Sequence, residues 1–236
     1  MVAIKKSIVS VVFMTLFSFA SQRASEYHDN TPLAWLRLGH EVERFCVGDV
    51  LDKSWDIKVE EIDGVFTLDL KELGLTSLEG IDKIPGIESV ENLFLTHNRL
   101  TSVKELTILP RLKRLWLGHN ELTKLPDGLQ LLTGLKKLCV HNNLLKSLEG
   151  IEHLVELSDI LCLRGNQLKS LHGIESFASL TGIDIADNPL TSFDELASLK
   201  NLTVVYMDAY QNANQVMHRH FTVEVEVYKG AANVPW

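Results

Sequence analysis

The sequence is short of several things that whole classes of protein require. Its 236 residues include three cysteines, and none falls in a Cys-x-x-Cys pair. That is too few for a disulfide-stapled scaffold and supplies no zinc ribbon. Positive charge is in deficit: 23 Lys plus Arg stand against 31 Asp plus Glu, a net charge of −8, and the lysines form no cluster. A partner with a phosphate backbone calls for the opposite balance, so no nucleic acid is expected. No nucleophile elbow, phosphate-binding glycine loop or His-Glu-x-x-His segment occurs. The chain therefore nominates no catalytic residue, no metal and no cofactor. What remains is ordinary globular composition, 45% hydrophobic and 23% charged, enough for one sizeable core or two small ones.

One uncharged apolar run is present, Ile8 to Phe19, preceded by Lys5-Lys6 and followed by Ser18-Phe19-Ala20. A basic start, a short apolar centre and small residues one and three places before a cut make a secretory signal peptide over residues 1–20. Cleavage is expected after Ala20, with Ala24 the second choice and a retained signal anchor the competing reading. The run is shorter than the roughly 20 residues a spanning helix needs. No second run of that length follows, so no membrane span is expected after signal removal. Losing Lys5 and Lys6 leaves 21 basic against 31 acidic residues, or −10. A secreted or periplasmic protein is the reading.

The middle of the chain repeats itself. Leu93-Phe-Leu95-Thr-His97-Asn98-Arg-Leu100 matches Leu115-Trp-Leu117-Gly-His119-Asn120-Glu-Leu122, then Leu138-Cys-Val140-His-Asn-Asn143-Leu-Leu145. Leu161-Cys-Leu163-Arg-Gly-Asn166-Gln-Leu168 and Ile183-Asp-Ile185-Ala-Asp-Asn188-Pro-Leu190 continue it. The asparagines Asn98, Asn120, Asn143, Asn166 and Asn188 step by 22, 23, 23 and 22 residues. An earlier copy at Leu68 carries Leu73 in the asparagine position, and a degenerate one closes the series at Val205-Tyr-Met207.

Alternation such as Leu115-Trp116-Leu117 describes a short strand with leucines inward and Trp116 outward. The asparagine that follows can satisfy backbone groups of the turn, coil after coil. No coil can bury its own leucines, so neighbours must stack into a continuous core.

This pattern resembles the leucine-rich repeat. Its convex segments, Ser77-Leu-Glu-Gly-Ile81, Ser147-Leu-Glu-Gly-Ile151 and Ser170-Leu-His-Gly-Ile174, resemble the short repeats of bacterial internalins and of the sds-type regulatory subunit of protein phosphatase one. The coil with Lys124-Leu-Pro126 is closer to the typical bacterial or plant variety. The resemblance implies an α/β solenoid of about six to seven coils: a horseshoe with a parallel concave sheet and 3-10 or turn pieces on the convex side.

Two irregularities stand out. The step from Leu68 to Leu93 is 25 residues, with the excess near 84–92. At Leu157-Ser-Asp-Ile160-Leu161 one residue is extra, so Ile160 and Cys162 compete with Leu161 and Leu163 for the interior; Asn166 and Leu168 favour the latter pair.

The domain plan is then signal peptide 1–20, N-terminal flank and capping helix 21–64, repeats 65–210 and C-terminal cap 211–236. Residues 21–30 are expected to be unstructured. From Thr31-Pro32 onward, Trp35, Leu38, Val42 and Phe45 recur at helical spacing. Residues 55–59 read as a strand, and Phe221-Thr-Val-Glu-Val-Glu-Val227 alternates with the period of one. Mobile tails are the competing reading for both flanks.

Outward positions of successive strands form rows. The central row is Asp69, Phe94, Trp116, Cys139, Cys162, Asp184 and Tyr206; another holds Glu72, His97, His119, Asn142, Gly165 and Asp187, and His141 and Arg164 lie between. Phe94 beside Trp116 suggests anchors for a protein partner, unless a terminal flank folds back over them. His97, His119, His141 and Arg164 form a polar ring around them, with Asp184, Asp187, Tyr206 and Asp208 at the far end. The histidines and cysteines have metal-ligand chemistry, but side chains along a rigid sheet point parallel rather than converge. Cys139 and Cys162 lie within disulfide reach and are read as free thiols, the torsion suiting same-row pairs poorly; Cys46 is left unpaired in either case. The reading is a monomeric exported module that binds a protein through its concave face. The alternatives are a host-directed effector or internalin-like adhesin, or a phosphatase-type regulatory subunit.

Overall fold

The computed structural model describes residues 45–48, 57–125, 127–208 and 224–228. The chain divides into two units, Met1–Glu43 and Arg44–Trp236, and every described residue belongs to the second. The signal peptide, the 21–30 lead, the capping helix up to residue 44 and Pro126 lie outside the described residues.

Leucine at every second strand position decides the architecture. Leu93, Leu95, Leu115, Leu117, Leu138, Leu161 and Leu163 are all fully buried, as are Val205 and Met207 in the degenerate last copy. Each fully buried leucine contributes roughly 1.5–3 kcal/mol relative to exposure. The strands that carry them are β3 (Val65–Asp69), β5 (Asn92–Phe94), β6 (Arg114–Trp116), β7 (Lys137–Cys139), β8 (Ile160–Cys162), β9 (Gly182–Asp184) and β10 (Val204–Asp208). They pair in chain order, all parallel. β11 (Glu224–Tyr228) extends this sheet in parallel beyond β10, where alternation had suggested a strand. β2 (Glu60–Ile62) closes the other edge antiparallel to β3. Among the described residues the sheet thus has nine strands and is open.

Each coil returns through a short 3-10 turn: Ile81–Lys83, Ile87–Ser89, Lys104–Ile108, Leu129–Leu131, Ile151–His153, Ile174–Ser176 and Asp194–Ser198. The Leu-x-Gly-Ile signature has a mechanical reason. Gly173, for example, enters its turn at φ 107°, a conformation that penalises any side chain, and Ile174 then drops into the core. The long 25-residue first step is absorbed by a second 3-10 turn, Ile87–Ser89, so the strands keep their register.

At β8 the leucine register holds, with Leu161 and Leu163 inside. The extra residue loosens the start of that strand instead. Only Cys139 and Cys162 pair between β7 and β8, whereas Ile160, Leu161 and Cys162 all pair with β9.

Two expectations for the N-terminal flank are corrected. Phe45, placed at the end of a helix, belongs to β1 (Phe45–Cys46), which pairs in parallel with β4 (Leu75–Ser77) in a separate two-stranded sheet. Residues 57–59 have no regular structure; the strand begins only at Glu60.

Candidate functional site

The concave face is positioned by an asparagine ladder behind it. Asn120 is typical. Its Oδ1 accepts the Leu100 N–H at 2.9 Å, and its Nδ2 donates to Leu95 O at 2.9 Å and Leu117 O at 3.0 Å. One side chain therefore ties its own coil to the preceding one. Asn143, Asn166 and Asn188 repeat the arrangement through the N–H groups of Leu122, Leu145 and Leu168. The first coil has Leu73 where its asparagine would be, and Asn98 accepts both the Leu73 and Leu75 N–H groups. Buried amides paired in this way fix the coil spacing, because each unmade bond would cost about 1–3 kcal/mol.

The residue before each ladder position is left-handed. Glu72, His97, His119, Asn142 and Asp187 have φ between 51° and 59°, and Gly165 takes the same place at 66°. That conformation costs a non-glycine residue roughly 1–2 kcal/mol. It is held in part by the sheet: the His97 N–H donates to Gly118 O at 3.0 Å and the His119 N–H to His141 O at 2.9 Å.

On this frame the rings line up. Phe94 and Trp116 stack with centroids 4.1 Å apart and 15° between planes. Alongside, His97 and His119 stack at 4.1 Å and 12°, and His141 meets His119 edge-on at 5.1 Å. Phe94 and Trp116 are half-buried, whereas His141 is only 8% exposed. A Cβ on Gly118 would fall inside the His141 ring, so this glycine makes the space into which His141 leans. Burial holds His119 and His141 down at about 4, with neighbouring positive charge adding to the effect, so both are neutral near pH 7. Asn142 lies against His119, Nδ2 to Nε2 3.1 Å; with the amide donating, the proton of neutral His119 resides on Nδ1.

Lys71 Nζ lies 5.0 Å from the Phe94 ring centre and Lys137 Nζ 5.6 Å from that of Trp116. The order along the sheet is thus ammonium, ring, ring, ammonium. Lys137 and its opposite number Arg114, paired across β6 and β7, are contributors that the sequence reading missed. They occupy the first outward position of each strand, a row signalled by the same alternation that located Trp116.

Toward the other end two expectations change. Cys139 and Cys162, read as outward free thiols, are fully buried and joined as a disulfide; their directly paired rungs bring the Cα atoms to 4.5 Å, within the usual range. Cys46 is half-buried. Asp184, read as part of an exposed acidic end, is fully buried. Its Oδ1 accepts the Ala186 N–H at 3.1 Å, while Oδ2 has no hydrogen-bond partner among the described residues. Burial pushes this carboxyl up to about 7. Arg164 pairs with Asp187 at 2.8 Å, and Asp208 accepts the Asp187 N–H at 2.7 Å. Tyr206 is half-buried on β10, directly opposite Asp184.

Parallel stacked imidazoles aim their lone pairs side by side rather than at one point, and among the described residues no three metal-binding side chains converge. On the convex side, Lys146, Glu152, Lys169, His172 and Glu175 line a groove in which Glu152 accepts the Gly150 N–H and Glu175 the Gly173 N–H. Among the described residues no helix is long and apolar enough to cross a membrane.

Comparison with known proteins agrees with this geometry. The family described as Leucine Rich repeats (2 copies) matches twice, over residues 88–131 and 110–153. Among solved structures, an internalin (inlF) from Listeria monocytogenes is similar, with a TM-score of 0.54 and 20% identity over 61% of this chain and 41% of that one. An internalin C2 (inlC2) from the same organism gives 0.49 and 23% identity, covering 61% of this chain and 81% of that one. No curated protein matches. The class is therefore a leucine-rich repeat solenoid with a parallel sheet and short 3-10 turns. Its repeats resemble those of internalins, and the likeness is one of fold; the chain spans about two-fifths of the length of the first of them.

Proposed function

We propose that this is an exported module that binds a protein partner through its concave face. Proteins of this repeat class are generally scaffolds for protein–protein contact rather than enzymes. The observation that carries the reading is the pair of stacked ring pairs, Phe94–Trp116 and His97–His119, set side by side on adjacent coils. Aromatic side chains held rigid before contact lose little entropy on docking, and they dominate interface energies. Export rests on the signal-like residues 1–20.

Trp116→Ala tests the proposal. Loss of a central tryptophan anchor costs about 2 kcal/mol or more, or roughly thirtyfold in affinity for a partner captured by the wild-type chain. Thermal unfolding monitors the fold in the same preparations. Capture at wild-type strength by a folded variant would refute the assignment of this face. Fractionation of the expressing cells tests export separately, and retention of the full-length chain in the cytosol would refute it.

A further inference from the structure

The stacked aromatic row has its faces filled from within. Phe94 and Trp116 cover one another, Lys71 covers the outer face of Phe94, and Lys137 covers that of Trp116. Because the rings stack along the strand-to-strand direction, they present edges to the hollow. The edge is the positive end of an aromatic quadrupole, the negative end being the face. An aliphatic chain or a sugar ring that needs an aromatic face to lie on finds none there.

The cations beside the rings are unevenly compensated. Lys71 is neutralised by Asp69 at 3.0 Å. Lys137 has no carboxylate partner among the described residues, and it stands directly opposite Arg114 on the neighbouring strand. Like charges so placed repel. Among the described residues Arg114 reaches only Asp159, at 3.8 Å, with both side chains more than two-fifths exposed. Two cations and one distant carboxylate leave a local positive excess in a chain whose net charge is −8. At the far end the sign reverses: Arg164 is already engaged by Asp187, and Asp208 accepts from the Asp187 N–H.

We infer that the partner docks an acidic segment on this face, a carboxylate seated between Arg114 and Lys137 against the edge of the Phe94–Trp116 stack. The inference rests on the concave-face reading above and adds the chemistry and polarity of the partner. A carboxylate at this point relieves the Arg114–Lys137 repulsion, and the guanidinium can hold it through two parallel bonds. Aromatic or carbonyl groups of the same segment meet the ring edges in favourable orientation. Asp208 repels a second acidic residue at the other end, so the segment binds in one direction.

A library of random dodecapeptides displayed on phage, selected on the immobilised full chain, supplies the probe. The expected outcome is enrichment of peptides containing Asp or Glu. A synthetic peptide from that pool should lose about tenfold or more in affinity on Lys137→Glu, and less on Lys137→Ala. Selection on the Arg114→Glu, Lys137→Glu double variant should enrich basic peptides instead. Circular dichroism of each variant confirms that it is folded. Binders that depend on Trp116 but are not acidic, or that ignore both Lys137 variants, overturn this inference and leave the concave-face reading standing. Binders indifferent to Trp116→Ala overturn both. A selection that enriches nothing overturns the inference as well.

Discussion

Asp184→Asn should stabilise the protein at neutral and alkaline pH and lose that advantage in acid. Burial raises the Asp184 carboxyl from 3.8 to about 7, against the opposing pull of the Ala186 N–H and Arg164. Below pH 3.8 both the folded and unfolded chains carry the neutral acid, and no linkage penalty exists. As pH rises from there, the unfolded chain releases its proton while the folded chain keeps it. Stability then falls by about 1.4 kcal/mol per pH unit, until the folded group ionises near pH 7. The accumulated loss is about 4 kcal/mol and stays constant at higher pH. Asparagine is neutral throughout and retains an Oδ1 acceptor for Ala186, but it adds an amide at the unpartnered Oδ2 position, costing about 1–3 kcal/mol. The net expectation is a gain of roughly 1–3 kcal/mol at pH 8. It becomes a loss of similar size in acid. Urea unfolding of both proteins at half-unit steps from pH 4.5 to 8.5 measures the difference, and titrating groups that do not interact with Asp184 cancel. The two curves should converge by about 3 kcal/mol between pH 8.5 and 4.5, crossing on the way. A difference that does not change with pH would show that Asp184 is neither neutral nor enclosed.

Four further outcomes follow from the same frame. Asn120→Ala strips the Leu100 N–H of its partner in the interior and leaves the Leu95 carbonyl with Asn98 alone, and should destabilise by about 1–3 kcal/mol in urea titration. Gly118→Ala collides with the His141 ring and should cost about 1–3 kcal/mol, but nearly nothing in a His141→Ala background; equal costs in both would refute the packing. Proton NMR titration should place His119 and His141 near 4, so each removes stability as pH falls from 6.5 toward 4, the unfolded chain binding its proton first. Asn142→Asp replaces the amide donor at His119 Nε2 with an acceptor, and should move the His119 titration upward.

What was legible in the sequence is what depends on one coil and its copies. Leucine alternation, the asparagine step and the Leu-x-Gly-Ile turns recur with a fixed period, so the register at β8 could be decided from Asn166 and Leu168 despite an extra residue. Burial on the concave face is not of that kind. Whether Asp184 is wet or dry depends on side chains from other strands. At the neighbouring Gly182, a Cβ would meet Ile160 on one side and Val204 on the other, so these two nearly close over the missing side chain. Nothing in the local sequence around Asp184 reports that closure.

The same distinction explains the cysteines and the missed cations. An idealised row suits the torsion of a disulfide poorly, whereas the pairing of β7 with β8 is reduced to the single Cys139–Cys162 rung by the residue inserted before Ile160. Lys137 is invisible as a partner for Trp116 when each coil is read alone; only the β6–β7 pairing sets its ammonium above the indole. In a solenoid, what a coil buries is written within it, but what the concave face offers is decided between coils. The chemistry of such a surface therefore has to be sought in triplets of residues a repeat apart, such as Phe94, Trp116 and Lys137, rather than in any continuous motif.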